Sequence, residues 1–146
     1  MKDRSEIFEH NRVILCHFDT YSAASMFARF GASVMAPFPL PEGSSPVSSP
    51  SEASEKHDPE KVRQAILAQY GFVPEELVIA EGFQEWMGGE NGPIRIHLAK
   101  FMTFDPPREA LEPHGALLKP ISEMRGMPMI ELNLLRAAFN LVMSGG

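Results

Sequence analysis

The sequence predicts an α+β domain: a mixed, mainly four-stranded sheet with helices packed on it, in the order strand–helix–strand–helix–strand–strand–helix. Three observations carry this expectation. A short apolar run near the N-terminus precedes a stretch with helical spacing, two strand-like segments flank a glycine-rich turn in residues 78–104, and a long apolar segment with helical periodicity closes the chain. At 146 residues the chain suits one domain that can bury a core without disulfides or metal. Its 44% hydrophobic and 22% charged residues are a globular balance, not that of a disordered chain.

The run RVILCHF (12–18) is rich in strand formers and short enough to be a strand buried on both faces. DTYSAASMFARFG follows as a predicted helix. Asp19, Thr20 or Ser22 can cap it, Ala23, Met26, Phe27 and Phe30 form an apolar stripe, and Gly31 can take a left-handed stop. ASVMAPF (32–38) reads as a second strand closed by proline, so these three elements would make a right-handed parallel crossover.

From Pro37 to Asp58 the composition turns Pro/Ser/Glu-rich, and this segment carries half of the net charge of −6. With almost no apolar residue after Leu40 it cannot offset its ordering entropy by burial, so 37–58 is expected to be a mobile loop or linker within a single domain, 1–146. A structureless loop of this length is unusual inside a compact domain. The alternative division is an N-terminal arm, 1–36, and a compact domain, 58–146.

DPEKVRQAILAQYG carries its own punctuation. Asp58 is the N-cap, Pro59 stands at N1, Val62, Ala65, Ile66, Gln69 and Tyr70 follow one face, and Gly71 stops the helix. A strand is expected from about Leu77, then the hairpin, which FDPP terminates; REALE can make a helical turn, and PHGALLKPISEMRG reads as loop with short turns. PMIELNLLRAAFNLVM (128–143) is a helix opened by Pro128 and closed by Ser-Gly-Gly. Asn133, Arg136 and Asn140 fall on one narrow stripe of it, with Glu131 on the far side, and nearly everything else is apolar. So apolar a helix needs cover on more than one side, from the sheet and from another element or another copy of the chain. Met129, Ile130, Leu134, Phe139 and Leu141 are the interface candidates. Met124, Met127 and Met129 cluster at its start, either as core filling or as an adaptable surface.

In the hairpin, pairing across GGENG sets Met87 opposite Pro93, hence Trp86–Ile94, Glu85–Arg95, Phe83–His97 and Glu81–Ala99. Side chains alternate faces. One face then holds Val78, Ala80, Trp86, Ile94, Ile96, Leu98, Met102 and Phe104 as core, and the other holds Glu81, Phe83, Glu85, Arg95 and His97. These acids, guanidinium and imidazole are either equipment for proton transfer or polar-ligand binding, or a solvated face with one cross-strand ion pair.

Several function classes are excluded. No cluster of Lys and Arg could track a phosphate backbone, which argues against nucleic acid. No apolar run approaches the roughly 20 residues that span a bilayer, and no signal-type segment opens the chain. Cys16 is the only cysteine, so no intrachain disulfide can form, which suits a reducing, cytoplasmic setting. Cys16 and His17 point to opposite faces of a strand and cannot form a thiolate–imidazole pair. His17, Asp19 and His97 lack the close spacing of a dedicated metal site, and GGENG joins two strands instead of opening a helix, so no metal and no cofactor is implied.

The predicted order is also that of thioredoxin-like folds, and Val73-Pro74 lies just before the third strand, where such folds keep a proline. The resemblance is one of topology. No cysteine stands at the start of DTYSAAS, where the redox pair belongs, so thiol–disulfide chemistry is disfavoured. Two functional expectations follow from the residues. The first is a non-catalytic interaction or accessory module that associates with itself, as a homodimer, or with another protein through the final helix. The second is a small enzyme or ligand-binding protein in which His97 is the acid/base, Glu81 or Glu85 its orienter and Arg95 the anion anchor.

Overall fold

A computed structural model describes residues 4–19, 22, 24–50, 55–89 and 92–144. Its sheet has seven strands, not four: β1 (Asn11–Asp19), β2 (Ala24–Phe30), β3 (Ser45–Val47), β4 (Leu77–Ile79), β5 (Glu85–Gly89), β6 (Gly92–Phe101) and β7 (Ala116–Pro120). Three α-helices accompany it: α1 (Pro59–Tyr70), α2 (Arg108–Leu111) and α3 (Met129–Met143). The strand order is β3-β5-β6-β1-β2-β7, with β4 pairing the far half of β6 beside β5. Only the central β1–β6 ladder is parallel among the described pairs.

The predicted first helix is instead strand β2, which folds back antiparallel on β1 with Cys16 opposite Phe27. No right-handed crossover exists there, and the thioredoxin-like order falls with it. The physical reason is burial on both faces. Phe27 faces the core under α3 while Ala28 faces the core under α1, so β2 lacks the polar–apolar alternation that marks a half-exposed strand. Thr20 and Ala23 of that expectation, like Glu90 and Asn91 of the hairpin turn and the terminal Gly-Gly, lie outside the described residues.

Nor is 32–38 a strand. Gly31, at φ +63°, turns the chain so that Ser33 returns both backbone hydrogen bonds to Phe30, and Ala36 makes a single bridge to Val13. ALLKP, expected as loop, pairs with β2 as the edge strand β7. Parts of 37–58 are also placed: Ser45–Val47 is the opposite edge strand, and Glu55–His57 forms a 3₁₀ turn leading into α1. Gly88 makes this edge possible, because a Cβ there would sit 2.8 Å from Val47 Cγ1.

The helices obey their local signals. Asp58 accepts from the Lys61 amide at 3.0 Å, and Gly71, at φ +72°, donates its N–H to Leu67 O at 2.8 Å. In α3, Asn133, Arg136 and Asn140 are exposed and Glu131 is buried on the far side. Leu134, Leu135, Ala138 and Val142 cover one sheet face, over Ile14, Phe27, Ile94, Ile96 and Leu98. Helix α1 covers the other, with Val62 and Ile66 over Val13, Leu15, Ala99 and Phe101. The buried Glu131 joins α3 to the turn after β2: both its oxygens accept from Ser33 Oγ (3.1 and 3.0 Å), and Oε1 accepts from the Val34 amide at 2.8 Å.

Candidate functional site

The hairpin register differs by one residue from the predicted one. Met87 pairs with Ile94, Trp86 with Arg95 and Glu85 with Ile96, because the ladder extends to Gly89–Gly92. Gly92, at φ +101°, supplies the backbone that so close a reversal needs. The slip moves every β5 side chain relative to β6. Glu85 shares the α3 side with Ile96, whereas Arg95 and His97 lie on the α1 side. Glu81 is exposed in the turn after β4, and Phe83 is buried in the α3-side core. The four predicted site residues therefore do not form one face: Arg95 and His97 stay together and the two glutamates are elsewhere.

What gathers around Arg95 and His97 comes from other elements. Strand β1 begins with Asn11, which the parallel register sets beside Arg95. The buried Asn11 amide donates through Nδ2 to Ile7 O (2.8 Å) and Lys56 O (2.6 Å), so its Oδ1 is left to accept. His97 meets it at 2.8 Å, which makes Nε2 the protonated nitrogen. Burial first, and then the charges of Arg95 and His57, push the His97 imidazole down to about 3. At neutral pH it is a neutral donor with its proton committed to Asn11. That is a structural role, and it leaves His97 poorly suited as an acid or base.

His57, from the 3₁₀ turn ahead of α1, is buried and donates Nε2–H to Pro93 O at 3.3 Å. Its ring meets Trp86 edge-on at 4.7 Å and lies 6.1 Å from His10. Burial lowers its pKa below the ordinary imidazole value against the opposing pull of the Pro93 carbonyl, and neighbouring His10, Arg95 and Lys56 add to the lowering. The Arg95 guanidinium carbon lies 5.7 Å from the Trp86 ring centre, and Nη1 donates to His57 O at 3.2 Å. Its Nε is buried without an acceptor. Burial lowers the Arg95 pKa, with Asp58 opposing at longer range. The ion pairs among the described residues join Lys61–Glu55, Arg63–Glu60 and Lys119–Glu123, and none includes Arg95.

Sequence reasoning missed Asn11, His57 and Trp86 as members of this cluster. His57 was the one imidazole in a stretch otherwise read as linker, immediately before a clear helix cap, and that was the only available signal. His17 and His97 do share a sheet face, but His17 is level with Phe101, four residues from His97 and roughly 13 Å away. His17 donates instead to Thr103 O at 2.9 Å. Among the described residues no three His, Cys, Asp or Glu side chains come close enough to hold a metal. Cys16 is buried, and burial pushes its thiol up to about 12, so it is not a ready nucleophile.

The interface candidates divide as well. Leu134 is buried inside the chain, Ile130, Phe139 and Leu141 are half-buried against the α3-side core, and Met129 is 63% exposed. The apolar surface beyond α3 lies at its C-terminal end. There Ser25, opposite Phe18 on β1, touches Met143 Sδ at 3.8 Å. One step past His17–Phe101, the parallel register brings half-buried Phe18 level with Met102, which is 62% exposed, and Val78 lies diagonally across on β4. Phe18, Val78, Met102 and Met143 thus make an apolar shelf at this end, with Val78, Met102 and Met143 exposed.

The sequence matches no protein-family model and no curated protein. No helix among the described residues is long and apolar enough to cross a membrane.

Proposed function

We propose that this chain is a non-catalytic interaction module that associates with a second copy of itself through the apolar shelf at the end of α3. The observation that carries the reading is the exposure there: Met102 at 62%, just past the end of β6, Val78 at 38% on β4 and Met143 at 47% at the helix terminus. Grouped apolar side chains of this kind mark contact surfaces more often than scattered ones do. Glu76, whose carbonyl accepts from the Met102 amide, and Lys100, level with Val78, stand beside the shelf. The body of α3 contributes less than its composition suggests, because the sheet occupies Leu134 and its neighbours.

The catalytic alternative receives less support. Its acid–base quartet is divided between the two sides of the sheet and a turn, and His97 spends its proton on Asn11. Sedimentation velocity over a wide concentration range tests the proposal. The wild-type chain should pass from monomer to dimer, and Met102→Glu, a change at an exposed position, should weaken association about tenfold or more. A wild-type chain that stays strictly monomeric at high concentration overturns it.

A further inference from the structure

We propose that Arg95, His57 and Trp86 form a binding site for a small oxyanion, the carboxylate or phosphate group of a small molecule. This is separate from the self-association above and rests on other residues. The Arg95 backbone N–H donates to His10 O at 2.9 Å, and its guanidinium is held at two points: Nη1 donates to His57 O at 3.2 Å, and the Trp86 ring lies 5.7 Å away. Yet Nε is buried with no acceptor, and no carboxylate reaches ion-pair distance among the described residues. A buried charged donor left empty is costly, and proteins rarely keep one without a purpose.

The charge that draws an anion is the Arg95 guanidinium itself. The polar neighbours packed on this side are His57, His97, His10 and Lys56, with Asp58 as the acid opposing at longer range. Two planar Arg N–H groups match the paired oxygens of a carboxylate or phosphate. Arg95, Trp86 and His10 are each half-buried, so one edge of the cluster meets solvent. Asn11 and the Pro93 carbonyl hold the two imidazoles in place beside Arg95.

Trp86 is the only tryptophan of the chain, so fluorescence excited selectively at tryptophan reads this site alone. The full chain is titrated with sodium phosphate and, separately, with sodium acetate, holding ionic strength constant with sodium chloride; the Arg95 Nε–H resonance is followed in parallel. At least one of the two anions should give a saturable change in both signals, and the one that saturates at lower concentration names the preferred group. Arg95→Gln should weaken that binding about tenfold or more. Responses to both anions that merely match chloride, or an unmoved Arg95 resonance, overturn the proposal; so does a folded Arg95→Gln chain that binds as well as wild type. Should Arg95→Gln not fold, the wild-type resonance decides.

Discussion

Two arginines on neighbouring strands of this sheet meet opposite fates. Arg12, on β1, is buried and donates to four backbone carbonyls, those of Phe8, Asn11, Phe38 and Pro39, while its guanidinium lies 4.3 Å from the Phe38 ring centre. Arg95, on β6, has one side-chain bond and a buried Nε with no acceptor. Burial lowers the pKa of both, Arg12 to about 10. The same side chain, buried on one strand and half-buried on the next, is thus a fastener in one case and a donor without an acceptor in the other. Arg12 ties the N-terminal turn and the 38–39 segment to the sheet, whereas the Arg95 side chain bonds only His57 O.

The largest expected effect is Arg12→Met. Four carbonyls lose their donor together, and the variant should lose about 3 kcal/mol or more in urea unfolding. An effect near zero would remove the distinction between the two arginines.

His97, beside Arg95, comes next. His97→Leu leaves Asn11 Oδ1 without its donor and should cost about 2 kcal/mol at pH 7.5. This position also predicts a pH dependence. The folded imidazole sits at about 3, below its unfolded value of roughly 6.5. A depressed group contributes stability that is present above the unfolded pKa and is lost as pH falls from about 6.5 towards about 3. The variant should unfold with a shallower dependence on pH across that window, and an unchanged slope would show that other groups carry it.

The smallest effect is expected at Arg95 itself. Arg95→Gln should alter stability by less than about 1 kcal/mol, since it removes one weak bond and one uncompensated donor together. A loss as large as that at Arg12 would make Arg95 a second fastener and weaken its reading as a binding group.

Much of the local structure was legible. Asp58, Pro59 and Gly71 bracket α1, and the Asn133–Arg136–Asn140 stripe marks the outer side of α3, because capping and helical amphipathicity act within a few residues of sequence. The strand at 12–18 was visible as an uninterrupted apolar run. Strand β2 was not, since a segment covered on both faces shows no alternation and Met26, Phe27 and Phe30 also satisfy a helical count. Of the candidate site, Arg95 and His97 were identified and their true neighbours were not: Asn11 and His57 are 84 or more and 38 or more positions from these two, too far for any local pattern.

By itself, then, the amino-acid order determined where α1 and α3 lie, that a hairpin joins residues 78–104, and that the chain carries no concentrated positive charge. Only the tertiary structure decided the sheet order, the one-residue register that parted Glu85 from Arg95, and the contact of His57 with Trp86. The reason is the range of the forces. Caps and amphipathic stripes act through the nearest turns of chain, while strand pairing joins residues remote in sequence, and the closest turn and the buried faces together select among pairings that look alike locally.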